Sequence, residues 1–239
     1  MLAFQREEKL NAISTEVEQA MLDALIGPEV REARCIVFAG SERAFSAGAD
    51  LKEERDESPS GIDAYYRETG DVYEHVAALP QATFSAISGW CLGAGFELAL
   101  ATDFRIADET AVFGLPEVEL GIVPSSGGTY RLVRALGPAR AKELLLLKPR
   151  VDAAEALRLG VATEVVPAGR ALERTLELAQ QVAALPPLAA SAAKQAADAI
   201  AESGREAAVL IERLAYAALA QTDEARAAGE TFSARKTPK

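Results

Sequence analysis

The chain has 239 residues, 49% of them hydrophobic and 26% charged, a composition that suits a soluble globular fold large enough to bury a real core. Its formal net charge of -11 excludes a broad nucleic-acid or anionic-membrane surface, though an anionic ligand can still bind where a few Lys and Arg gather. The two cysteines, Cys35 and Cys91, lie far apart and lack metal-ligand spacing, which argues against a disulfide framework or zinc site and for a reducing compartment. In chain order, Leu2-Ala3-Phe4 reads as a strand fragment before a charged turn. Thr15 and Glu18 make a capping-box pattern for a helix with Val17, Met21, Ala24 and Leu25 on one face, stopped at Gly27-Pro28. Residues 35–38 form a short apolar run expected as a buried strand, followed by a loop over 40–50. Residues 61–79 carry Ile62, Tyr65, Tyr73 and Val76 at helical spacing, and a second strand is expected over 83–88.

A glycine turn over 89–95 leads into a helix ending at Ala101, with strand-like pieces at 104–107 and 111–113. A third glycine turn, 121–128, opens onto a helix over 129–136. Asp152 and Glu155 cap a helix that stops at Gly160, before a strand at 163–166. From Arg170 onward the chain reads as helices, broken at Pro186-Pro187, Gly204 and Thr222-Asp223. No repeat of fixed period is present, but the theme strand, glycine turn, helix recurs, which predicts an α/β core with an alanine-rich helical end. The expected division is a core over 1–185 and a helical region over 186–239.

Several chemistries fall away. The single histidine, His75, sits in a helical stretch, no G-x-S-x-G turn accompanies it, and a helix-surface position is expected for it. The Gly93-Ala94-Gly95 turn is followed by Leu98 where a dinucleotide fingerprint needs glycine or alanine, and no phosphate-binding P-loop occurs. Residues 1–9 hold charges rather than an apolar leader, and the longest aliphatic run, 144–147, cannot span a bilayer; a cytoplasmic protein with no membrane partner is expected. Glycine turns at helix starts do expose unpaired N–H groups, which hold a developing oxyanion with help from the helix dipole. A carbonyl held that way needs only carboxyls beside its α and β carbons. Glu97 lies among Phe96, Leu98 and Ala99, and Glu117 follows Pro116 in an apolar stretch; burial would raise the pKa of each. From the residues alone the two glutamates read either as a catalytic pair or as groups that satisfy a helix end and a turn.

The run Ala44-Phe45-Ser46-Ala47-Gly48-Ala49-Asp50-Leu51-Lys52 resembles the first signature of the enoyl-CoA hydratase/isomerase (crotonase) family. Gly89-Trp90-Cys91-Leu92-Gly93-Ala94-Gly95-Phe96-Glu97-Leu98-Ala99, with Thr102-Asp103, resembles the second. Residues 113–117, 120–124 and 127–129 resemble the third, and Asn11-Ala12 and Phe232 extend the likeness along the chain. It is most similar to the hydratase branch that includes methylglutaconyl-CoA hydratases.

The resemblance implies an α/β fold, a crotonase-like spiral of ββα units with a helical C-terminal trimerisation region. It implies a homotrimer or hexamer (a dimer of trimers) acting on an acyl-CoA thioester, with no separate cofactor and no metal because coenzyme A is part of the substrate. By motif match, the N–H groups of Ala49 and Ala94 form the oxyanion hole, Glu97 acts as base toward water, and Glu117 donates a proton to the α carbon. The same match puts Ala47, Gly48, Asp50, Leu51, Gly93, Pro116, Gly121 and Ser125 around the substrate. Lys9, Lys52 and Arg235 match basic positions near the CoA phosphates, and Tyr216 and Phe232 match aromatics near the ligand. Departures are Ala94 between two glycines, bulky Trp90 and Phe96 expected to narrow the acyl pocket, and Ser125-Ser126 after Pro124. The expected activity is 2-enoyl-CoA hydration; the alternatives are Δ3,Δ2-enoyl-CoA isomerisation, or a catalytically weak CoA-binding or scaffold role.

Overall fold

The structure, a computed structural model, describes residues 1–53 and 58–235, and side chains for all of these except 232–235. Three times in succession the chain lays one strand in a large sheet, a second in a small sheet, and then turns into helix. In the first unit β2 (Cys35–Ala39) and β3 (Ala44–Ser46) precede α3 (Pro59–Tyr65), a π turn over Tyr66–Gly70 and α4 (Val72–Ala77). The second is β4 (Ala82–Ile87), β5 (Trp90–Leu92) and α5 (Ala94–Ala101). In the third, β6 (Phe104–Asp108) and β7 (Val112–Gly114) lead through a 3-10 turn at Pro116–Leu120 into α6 (Gly128–Leu146), which kinks at Gly137 (φ 75°), just past the end expected at Leu136, and continues after Pro138. Before these stand β1 (Leu2–Ala3), α1 (Thr15–Ile26) and α2 (Pro28–Glu32). After them come β8 (Arg150–Asp152), α7 (Ala153–Leu159), β9 (Glu164–Val166), α8 (Ala171–Ala183), α9 (Pro187–Ala201), α10 (Arg205–Leu219) and α11 (Asp223–Arg235).

The large sheet is parallel throughout, in the order β1-β2-β4-β6-β9; the small one runs β3-β5-β7-β8, with only β7–β8 antiparallel. A parallel sheet covered on both faces needs apolar residues on both, which is why 35–38 is a continuous apolar run. Ile36 and Phe38 join the main core, whereas Val37 points the other way, to Phe84, Ile106 and Ala179 beneath α8. The loop expected over 40–50 therefore contains β3, the turn over 89–95 contains β5, and β8 also went unexpected. Strands of three residues are too short to show a period. They are fixed instead by the neighbours they pair with.

The start of α1 is another correction. Its cap is Ser14, whose Oγ accepts from the Val17 N–H at 3.4 Å, and Thr15 is the first helical residue. Glu18 does not close a capping box; it is 2% exposed and accepts from the Tyr65 and Tyr73 hydroxyls at 2.7 and 3.1 Å. Residues 61–79 form three helical segments rather than one, with His75 exposed on α4 as expected. The cap at Asp152, accepting from Glu155 N–H at 2.8 Å, and the stop at Gly160 follow the sequence reading. So do the four late helices, which begin after Arg170 and break where the prolines, Gly204 and Thr222 stand.

Candidate active site

The first turn of the site is clamped from the N-terminal segment. Leu10 and Asn11 both have left-handed backbone, with φ of 51° and 55°, a conformation asparagine tolerates better than most residues. Asn11 is buried, its Nδ2 donates to Ala44 O at 2.8 Å, and its Oδ1 accepts from the Arg6 N–H at 3.0 Å. This hairpin lays Leu10 O against the Ala47 N–H at 3.0 Å and Ile13 against residues 48–50. Ile13 N–H donates to Gly48 O and Asp50 N–H to Ile13 O, both at 2.8 Å. A parallel bridge of that kind uses the groups flanking Ala49, so the Ala49 N–H faces the opposite side.

The second turn meets the first directly. Gly48 (φ 109°) and Gly93 (φ 50°) have backbone that side chains rarely adopt. A Cβ on Gly93 would stand 3.5 Å from Gly48 Cα and 3.1 Å from Glu117 Oε1; one on Gly48 would stand 3.2 Å from Leu92 O. The glycines thus let the two turns and the Glu117 carboxyl converge. Ala94 is the first residue of α5, where an N–H has no intrahelical acceptor. Among the described residues, neither the Ala49 nor the Ala94 N–H has a hydrogen-bond acceptor.

Two carboxyls flank these amides in different surroundings. Glu97, 3% exposed, accepts on one oxygen, Oε1, from the Ser126 N–H at 2.8 Å and the Gly128 N–H at 2.9 Å. Burial raises its pKa; the two N–H groups and the Arg131 charge oppose the rise, and Glu18 adds to it. Gly128 is the residue that permits the contact, since a Cβ there would come 2.7 Å from Glu97 Cγ. Glu117, on the 3-10 turn that Pro116 opens and Gly121 closes, has a buried Oε2 with no hydrogen-bond partner among the described residues. Burial, and then the charge of Glu97, lift its pKa to about 7. Glu97 is therefore the carboxyl whose charge meets two amide donors, and Glu117 the one that holds a proton near neutrality.

Other expected residues are less central. Asp50 is tied to Lys9 at 3.0 Å and to Arg6 at 3.1 Å, which holds its pKa down at about 2. Leu51 and Lys52 are exposed just beyond it, and Ser125 is exposed with its carbonyl accepting from the Tyr66 hydroxyl at 3.1 Å. Tyr216 lies exposed on α10 and, among the described residues, makes no hydrogen bond to either turn. The side chains of Phe232 and Arg235 fall outside the described residues. Phe96 does not narrow a pocket: it is 2% exposed, its ring packed edge-on to Phe113 at 5.5 Å, while Trp90 is exposed. The sequence reading missed Arg6, Glu18, Ser126 and Arg131, all of which act through contacts distant in sequence. Ser126 was the one with a signal, as a departure from the family pattern beside the third turn. Among the described residues, no group of three or more His, Cys, Asp or Glu could hold a metal ion.

Two free amides from adjacent turns of stacked ββα units, with two carboxyls beside them, define a crotonase-fold enzyme. The chain belongs to the enoyl-CoA hydratase/isomerase family, whose model matches residues 1–239. A probable enoyl-CoA hydratase of Rhizobium meliloti is 37% identical over 237 residues, covering 99% of this chain and 91% of that one. The crystal structure of an enoyl-CoA hydratase from Bacillus anthracis superposes with a TM-score of 0.90 at 34% identity, over 99% of this chain and 93% of that one. A putative enoyl-CoA hydratase from Thermobifida fusca, solved in complex with CoA, gives 0.84 at 28% identity, over 90% and 87%.

Proposed function

We propose that the chain hydrates a short or medium 2-enoyl-CoA thioester. The observation that carries this reading is the contrast between two neighbouring carboxyls, Glu97 with two amide donors and Glu117 with a bare buried oxygen and a pKa of about 7. The thioester carbonyl accepts from the N–H groups of Ala49 and Ala94, which stabilise enolate character at its oxygen. Ionised Glu97 takes a proton from water, whose oxygen bonds to the β carbon. Protonated Glu117 gives its proton to the α carbon, and the 2,3 double bond becomes single. Proton transfer from Glu97 to Glu117 then restores the starting pair, so their titration belongs to the pair rather than to either residue alone. Coenzyme A enters as part of the substrate, and no further cofactor is called for. Lys9, Lys52 and Arg235 are the cations proposed for its phosphates, with Tyr216 and Phe232 against its remainder.

Isomerisation needs only one carboxyl to shuttle a proton, which would leave the two amide donors to Glu97 without a task. A panel of 2-enoyl-CoA thioesters, followed by ultraviolet loss of the conjugated chromophore, tests the choice. Hydration is expected, with Glu97→Gln and Glu117→Gln each losing at least about 10²-fold in turnover. Double-bond migration without hydration across the panel would replace this reading by the isomerase.

A further inference from the structure

Glu97 is held by a loop, and that loop is held by an arginine. The Arg131 side chain is only 9% exposed; its Nη1 donates to Ser126 O at 2.9 Å and its Nη2 pairs with Glu74 Oε1 at 2.5 Å. Ser126 is one of the two residues whose N–H groups bond Glu97 Oε1. Between those donors lies Gly127, at φ 91°, where a Cβ would fall 2.0 Å from Arg131 Nη1. The guanidinium is thus pressed against the loop, and the Arg131 N–H closes it by donating to Gly127 O at 2.8 Å. Burying a guanidinium costs desolvation energy, and among the described residues its ion pair is to Glu74, which is 56% exposed and so contributes little. Stability is a poor return for this arrangement; two amides fixed on one carboxylate oxygen is a better one.

We propose that Arg131 is a positioning residue for the reaction, fixing through the Ser126 carbonyl the two backbone donors that orient Glu97. Its kinetic consequences rest on the hydration reading given above; its structural consequence for Glu97 does not. Among the described residues, the charged and titratable groups facing Glu97 are Glu18 from α1, Tyr73 from α4, Glu117 from the 3-10 turn and Arg131 from α6. Of these only Arg131 favours the carboxylate. Its removal therefore moves Glu97 ionisation, and the acid limb of the rate profile, to higher pH.

The test uses Arg131→Met, which removes charge and fork, and Arg131→Lys, which keeps the charge alone. For folded Arg131→Met, kcat should fall about 10–100-fold while KM changes less than about threefold, since a misplaced catalytic group costs rate rather than binding. Its acid limb should shift upward, whereas Arg131→Lys should keep the wild-type limb and still lose about tenfold in kcat. Carbon-13 NMR of Glu-labelled protein, with the Glu97 signal assigned by Glu97→Gln, reads the same ionisation with no substrate present. If the wild-type enzyme hydrates nothing but the Glu97 midpoint still rises in Arg131→Met, the hydration reading fails and the positioning role stands. Wild-type kcat and an unmoved Glu97 midpoint in folded Arg131→Met would overturn the proposal. Should that variant not fold, an Arg131→Lys enzyme with undiminished kcat would overturn it equally.

Discussion

Glu117 sits in surroundings that conflict with its charge. Its Oε2 is buried without a partner among the described residues, and Glu97 repels its ionised form. The folded-state pKa of about 7 lies above the ordinary 4.5, so the folded chain holds a proton here that the unfolded chain releases. Stability must then fall as pH rises from 4.5 to about 7 and level off above that. Glu117→Gln removes the penalty, so its melting temperature should equal that of the wild type at pH 4 and exceed it at pH 8. Because the carboxyl is only partly buried, about 1 kcal/mol is a fair expectation, or roughly 2–4 °C. In the proposed hydration the same substitution abolishes the proton donor, so thermal unfolding and turnover should move in opposite directions. A variant no more stable than wild type at pH 8 would show that the site carries no such strain. Wild-type kcat/KM should also decline as pH rises through about 7, where free Glu117 loses its proton.

At the scale of elements, the site is made by the starts of α5 and α6 and by the turn after β3. Each supplies backbone N–H groups rather than side chains: Ala94 at the first position of α5, Ser126 and Gly128 where α6 begins, and Ala49 beyond Gly48. The first position of a helix is also a place where proline fits without breaking an intrahelical bond. Ala94→Pro therefore deletes one hydrogen-bond donor while leaving α5 formed, and Ala94→Gly keeps the donor. Turnover should drop about 10²–10³-fold in the proline variant and change little in the glycine one. Circular dichroism and particle size establish that the proline variant is folded. Full turnover from such a protein would remove the Ala94 amide from the proposed oxyanion hole.

For the molecule as a whole, the late helices present more apolar surface than their contacts cover. α9 reaches back to the core, where Lys194 pairs with Asp103 at 2.9 Å and donates to Gln81 O at 3.1 Å. α10 packs on α9, yet Leu210 and Leu214 remain 56% and 61% exposed, and Tyr216 75%. Patches of this kind mark interfaces, and we propose that residues 186–239 assemble the chain as a trimer or a dimer of trimers. Light scattering at micromolar concentration should give three or six times the 25.3 kDa chain mass. A 25.3 kDa particle would exclude both assemblies. Among the described residues no helix is long and apolar enough to cross a membrane.

The sequence by itself determined the family, the α/β character, most element boundaries and the glycine turns around Ala49, Ala94, Glu97 and Glu117. These are legible because turn chemistry, caps and signature runs are local: Asp152 caps the residues just after it, and Gly93 needs its backbone whatever lies around it. Only the tertiary structure decided how the two carboxyls differ. The motif match assigns them different roles, but their local sequences look alike, a glutamate among apolar neighbours. The two donors to Glu97 come from 29 and 31 residues away, and among the described residues no such donor reaches the Oε2 of Glu117. The same distance hid β3, β5 and β8, whose three residues gain strand character only from a paired neighbour. It hid Glu18, which reads as a capping residue until Tyr65 and Tyr73 close over it. It hid Arg131 as well, one arginine among many until Ser126 O and Glu74 meet its two ends. Charge in a protein interior is governed by what surrounds it in space, and a sequence lists only what surrounds it along the chain.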